Sequence, residues 1–383
     1  MRRVLFGVAL ALLGVAGQAG LSAMADGLSP DVRRSERRAT AGRSQLRKLP
    51  STEWDDNVVE AAQGQLRQNG GGAPSVGKPS VGLKPLDEMT AADRYKGEDG
   101  GLYGGGRNEP PPALHAAARA ETARIAPLDA EGKPAPNGKI VLVSISMSNA
   151  TQEFSVFKRI ADADPAKSPL LTIVDCAQGG QAMAQWVNPQ GPAWQEADRR
   201  LSAGDVTHAQ VQVAWVKLAN IAPTGDLPEH GKKLQKDTVA VLQNAKARFP
   251  NLRIAYLGSR IYGGWSDGRL NPEPYAYESA FVVRWLIQDQ TKGDSELNYD
   301  PARGPVKAPL LLWGPYLWAD GTTPRKSDGL VYERSDVAND GAHPTDSGRR
   351  KVADLLLKFF KTDPNAKAWF VKPSRRSARG GEP

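Results

Sequence analysis

A single cysteine, Cys176, stands in the 383 residues, so no disulfide can form within the chain and a packed core must carry its stability. Histidine is nearly as scarce, with four in all. His115, His208, His230 and His343 are scattered, with no His-x-x-x-His pair and no Cys/His cluster, so a structural or catalytic metal has no ligand set. Long hydrophobic runs are also missing. After the first 15 residues no stretch approaches the roughly 20 apolar residues of a transmembrane helix. Negative charge is in the minority, 42 acidic against 50 basic residues, for a formal charge of +8. The basic excess does not form a nucleic-acid site. Arg33, Arg34, Arg37, Arg38, Arg43 and Arg47 lie in a polar N-terminal segment, and Arg375, Arg376 and Arg379 in a polar tail. Neither group is interleaved with aromatics as a single-strand groove would be. Such basic ends suit peripheral contact with an anionic cell envelope.

Five zones can be read along the chain. Residues 1–25 have the form of a secretory signal: Arg2 and Arg3, an apolar stretch from Val4 to Val15, and Ala23-Met24-Ala25 as a small-residue cleavage site. The expectation is a secreted or periplasmic protein without a transmembrane segment. Residues 26–84 are rich in Arg, Gln, Gly, Ser and Pro and repeat Pro-Ser-Val-Gly, the composition of a flexible linker. Residues 85–137 hold a Gly/Pro-rich stretch with Tyr95, Tyr103 and His115, chemically richer than a spacer needs. We expect it to pack on the domain that follows. That domain spans 138–372, and 373–383 form a basic tail.

Within 138–372 the pattern alternates. Apolar, β-branched runs at 139–145, 170–175, 210–216, 252–258 and 309–313 read as strands. Helical periodicity appears at 150–161, 180–187, 228–249, 274–289 and 346–361. Alternation of this kind predicts a parallel sheet covered on both faces, with its functional crevice beyond the carboxyl ends of the strands. That rule selects residues without reference to chemistry. Ser148 follows the first strand, Cys176 to Gly180 the second, Lys217 the third, Arg260 and Tyr262 the fourth, and Trp313 to Trp318 the fifth. The segment Asp340-Gly341-Ala342-His343-Pro344 comes last, before the final helix. A carboxylate three residues before a His can fix its tautomer and leave the other ring nitrogen free to act as a base.

In this order the chain resembles the SGNH (GDSL-like) hydrolase family over about residues 138–360. Ser146-Met147-Ser148 stands where that family has its Gly-Asp-Ser turn, Gln178-Gly179-Gly180-Gln181 where it has its glycine block, and Asp340-x-x-His343 where it has its Asp-x-x-His pair. The resemblance implies a three-layer α/β/α sandwich with a central parallel sheet, flavodoxin-like in architecture. It also implies a serine esterase without cofactor, in which Ser148 is the nucleophile, His343 the base and Asp340 its orienting acid. Gly180 would then donate to the oxyanion. The family's third block, Gly-x-Asn-Asp, is replaced here by Trp215-Val216-Lys217-Leu218-Ala219-Asn220, and Lys217 or Asn220 would complete the oxyanion hole.

Arg260, Tyr262, Glu278, Trp313 and Trp318 are the candidate substrate contacts. The tryptophans suit stacking on a sugar ring or an acyl chain, or equally plugging the core. A small-molecule or carbohydrate ester is the expected substrate. A non-catalytic glycan- or envelope-binding protein on the same fold is the alternative that the altered third block favours. Cys176 closes an apolar strand with no cation beside it, which fits a buried small residue better than a thiolate.

Overall fold

A computed structural model describes residues 77–372 apart from residue 267. The signal-like segment, most of the linker and the basic tail lie outside these residues. The core is a five-stranded sheet, all parallel, in the order β2-β1-β3-β4-β5. Its strands are β1 (Ile140–Ile145), β2 (Leu171–Val174), β3 (Val211–Lys217), β4 (Ile254–Gly258) and β5 (Leu310–Trp313). The first, third and fourth strands are buried along their whole length, as sheets covered on both faces must be.

The helices are α1 (Pro112–Thr122), α2 (Ser148–Asp162), the single turn α3 (Met183–Trp186), α4 (Pro192–Ala203), α5 (Leu227–Arg248), α6 (Tyr275–Lys292), α7 (Asp346–Thr362) and α8 (Pro364–Phe370). α2, α7, α8 and α1 pack in succession on one side, and α3, α5 and α6 on the other. The molecule is therefore a three-layer α/β/α sandwich, as expected. On the α2 side, Trp215 of β3 stacks on Phe154 at 5.5 Å between ring centroids, and Phe157, Phe360 and Phe370 continue the layer.

Three helices were not foreseen. α1 and α4 each open on a proline at the first turn, where its missing N–H costs nothing. In α4 the dense charges Glu196, Asp198, Arg199 and Arg200 mask a buried stripe of Trp194, Ala197 and Leu201. α8 is capped by Asp363, whose carboxylate accepts from the amides of Asn365 and Ala366.

The Gly/Pro-rich stretch is part of the domain. Leu86, Met89, Leu114 and Ala118 belong to the main core. Tyr95 stacks on Phe281 of α6 at 5.5 Å. Arg284 of α6, 1 % exposed, donates to the carbonyls of Asp99 and Gly101 and pairs with the carboxylates of Glu98 and Asp99. The ordered extension reaches further back than residue 85. Ser80 Oγ and the amides of Val81 and Gly82 all donate to the Asp320 carboxylate. Among the described residues no helix is long and apolar enough to cross a membrane.

Candidate functional site

Because all five strands run the same way, their carboxyl ends share one edge of the sheet. Register pairs Ile145 with Val216 and Lys217 with Gly258, so the segments after β1, β3 and β4 emerge side by side. Three residues after β1 the chain is already helical. Ser148 is the first residue of α2, half-buried, behind the extended Met147. No side chain caps this helix, which leaves the first-turn amides for another acceptor.

The segment from Asp340 to Pro344 comes just before α7, the helix that packs against α2. Asp340 Oδ1 accepts from the amides of Ala342 (2.9 Å) and His343 (3.0 Å), and Oδ2 meets His343 Nδ1 at 2.6 Å. His343 Nε2 lies 2.7 Å from Ser148 Oγ. Burial opposes ionisation of Asp340, but the bonds from His343 and the two amides prevail and hold its carboxyl down to about 2. Gly341 makes the turn possible. Its φ is +66°, and a Cβ there would fall 1.7 Å from the Trp265 carbonyl oxygen.

Asn149 joins the two halves. Buried at the start of α2, it donates through Nδ2 to the Ala342 carbonyl at 2.7 Å, next to His343. The place of Asn149 beside Ser148 was the available signal, but its partner lies 193 positions away. The arrangement can move a proton from the serine hydroxyl to an imidazole whose charge the carboxylate then stabilises.

The expected oxyanion donors are placed unequally. Gly180 is exposed, with φ +75° and nothing within 4 Å of where a Cβ would stand. Among the described residues its amide has no acceptor. Lys217 does not face the crevice. Side chains alternate along a strand, so it shares a face with Trp215, which stacks on α2. Its ammonium sits 2.6 Å from Glu153 Oε1 of that helix, with both side chains at 0 % exposure. Burial pushes the Lys217 ammonium down to about 8, against the opposing pull of Glu153. Asn220 is tied on both sides: Oδ1 accepts from the Ala184 amide at 3.0 Å, and Nδ2 donates to Asp237 at 2.7 Å. One N–H of that amide is left over.

Four of the five candidate substrate contacts are not presented to the crevice. Tyr262 is buried and donates to the Lys78 carbonyl. Trp313 donates to the Leu102 carbonyl, and Trp318, fully buried, to Glu273 Oε1. Glu278, also fully buried, is shared by Tyr95, Lys96 and His230 in a latch between the extension and α6. These aromatics plug the interior, and the extension supplies the partners of Tyr262 and Trp313. Arg260 differs. It is buried just past β4, yet its guanidinium makes no ion pair or hydrogen bond among the described residues, and its Nε is sealed without a partner. Cys176 is 1 % exposed, and burial drives its thiol up, away from thiolate chemistry.

No protein-family model matches the chain, and neither does any curated relative. Solved structures resemble it in part. A Bacteroides fragilis protein named as an acylhydrolase shares 16 % identity at a TM-score of 0.33, over 65 % of this chain and 96 % of that one. The periplasmic domain of a lipopolysaccharide acetyltransferase from Salmonella serovar Paratyphi A shares 14 % at 0.32, over 65 % and 95 %. A gut microbial diltiazem-metabolizing enzyme shares 13 % at 0.31, over 60 % of this chain and 48 % of that one. The chemistry of the site rests on its geometry.

Proposed function

We propose that the protein is a serine hydrolase of the SGNH kind that cleaves carboxylic esters through Ser148, His343 and Asp340. One observation carries the reading: the unbroken chain of contacts from Ser148 Oγ to His343 Nε2 at 2.7 Å and from His343 Nδ1 to Asp340 Oδ2 at 2.6 Å. Serine is brought to the histidine–aspartate pair from 195 positions away, whereas a serine serving only as a helix cap needs none of it.

In the mechanism His343 Nε2 takes the Ser148 proton as Oγ bonds to the ester carbonyl carbon. The carbonyl electrons move onto oxygen. The amides at the start of α2 and of Gly180 receive that charge, and the spare N–H of Asn220 is the available side-chain donor. Collapse breaks the bond to the alcohol, which leaves with the proton from His343. A water molecule, deprotonated in turn by His343, attacks the acyl-enzyme and releases the carboxylic acid, restoring Ser148. The reaction needs no cofactor. Stacking on a sugar ring loses its expected platform, since Trp313 and Trp318 are internal, so the reading stops at esters.

A fluorophosphonate probe tests it. Ser148 should be labelled and a short-chain aryl acetate hydrolysed, with both lost in Ser148→Ala. Loss in His343→Ala should be comparable, and the double variant should be little worse than either single one, as for groups acting as a unit. A folded protein whose Ser148 resists the probe would leave the crevice as a binding site only.

A further inference from the structure

Arg260 is the one crevice candidate whose side chain has no work inside the protein. It stands two residues beyond β4 at the carboxyl edge of the sheet, held by its own amide donated to Ser279 Oγ at 2.9 Å. The charges that bear on it are Glu153, Glu273 and Asp340. Each of those carboxylates is already committed elsewhere. Glu153 is gripped by Lys217. Glu273 accepts from the amides of Gly263 and Tyr277 and from Trp318 Nε1. Asp340 holds His343 and two amides. The guanidinium is thus a cation taken out of water without a partner among the described residues, an arrangement that is strongly unfavourable unless an anion meets it. The residue keeps 3 % exposure, and Nε alone of its nitrogens is both sealed and unpartnered, so the remaining access belongs to the two terminal nitrogens. Those nitrogens form the fork that matches a carboxylate with two parallel bonds.

We infer that Arg260 receives a carboxylate on the alcohol portion of the substrate, so that the site takes esters of hydroxy acids or of sugars bearing an acid group. The inference rests on the hydrolase reading above. The alcohol side is chosen from the sheet order, in which Arg260 follows β4, on the opposite side of the nucleophile's strand β1 from β2. Gly180, the proposed oxyanion donor, follows β2, on the other side of β1 from β3 and β4.

The experiment compares acetoxybenzoates, with the carboxylate at the 2-, 3- or 4-position, against the neutral acetoxybenzamides of the same shape. The full chain should favour at least one carboxylate isomer over its amide by about tenfold to a hundredfold in kcat/KM, the range of a charge-assisted contact that the neutral analogue lacks. Arg260→Met should bring that ratio to about one, whatever happens to the common rate. Arg260→Lys should keep part of it, having the charge without the fork. The wild-type comparison needs no variant to fold. Fluorophosphonate labelling of Ser148 is run alongside. Labelled, active wild type with no charge preference, or a preference unchanged in Arg260→Met, overturns the role of Arg260 and leaves the hydrolase intact. No labelling and no hydrolysis of either ester series overturns the hydrolase and this inference with it.

Discussion

Removing Lys217 should damage the fold rather than the chemistry, and the size of the effect follows from its surroundings. Lys217 and Glu153 meet at 2.6 Å with neither side chain exposed. Lys217→Met leaves the Glu153 carboxylate in the interior with no ammonium to hold it, and breaking a buried pair in this way costs about 3–5 kcal/mol. Removing both charges is different, since an apolar pair of similar volume is often as stable as the ion pair it replaces. Lys217→Met with Glu153→Leu should therefore recover most of the loss. A small residual deficit is expected because Arg260 also feels Glu153. Urea denaturation at neutral pH reads both numbers. Aryl acetate hydrolysis by the folded double variant separates the two possible roles of Lys217. An oxyanion donor would cost about a hundredfold in kcat whatever the stability, whereas a structural pair leaves the double variant near wild-type turnover. A stable but hundredfold slower double variant, or a single Lys217→Met variant as stable as wild type, would refute the reasoning.

Gly341→Ala must move the loop that carries Asp340 and His343, since its Cβ would fall 1.7 Å from the Trp265 carbonyl oxygen at a φ of +66°. A shift of about an ångström at the base costs roughly a hundredfold in rate, so hydrolysis and probe labelling should both collapse in a protein that still folds. Wild-type rates there would mean that the loop tolerates displacement. Burial pushes the Glu273 carboxyl from 4.5 up to about 7 despite three donors to it. The folded state then keeps this proton longer than the unfolded chain does, so stability drains away as pH rises from about 4.5 through about 7. Glu273→Gln cannot titrate. The stability advantage of wild type over it should shrink between about pH 5 and pH 8, and a difference independent of pH would show that the three donors keep Glu273 ionised throughout.

The sheet and its functional edge were legible because parallel strands covered on both faces read as unbroken apolar runs, and because the strand-end rule points to residues directly. Ser148, Asp340 and His343 were named on that basis, and they stand in mutual contact. Lys217 went astray for a reason that the sequence itself contains. Trp215 two positions earlier has to face the interior, and a period of two carries Lys217 inward with it. What remained hidden depends on partners distant in sequence. Glu153 lies 64 positions from Lys217, and the Ala342 carbonyl 193 positions from the Asn149 amide. Pattern and propensity carry no information about such pairings.

Residues 85–137 pack on the domain as expected, residues 77–84 join them, and together they cover aromatics that follow the strands. Tyr262 donates to Lys78, Tyr277 to Lys84, and Trp313 to Leu102, while Tyr316 receives the Leu86 amide. An aromatic platform would need these rings open to solvent, and the extension instead uses their polar ends as anchors. Tyrosine and tryptophan suit that use, joining a large apolar body to one directional hydrogen bond. Once they are sealed, the segments past β4 and β5 offer a ligand little stacking surface. The buried Arg260 guanidinium, with no ion pair or hydrogen bond among the described residues, remains at this edge. If Arg260 acts as inferred, recognition at this edge rests on charge rather than stacking, and the extension that seals these aromatics is the reason.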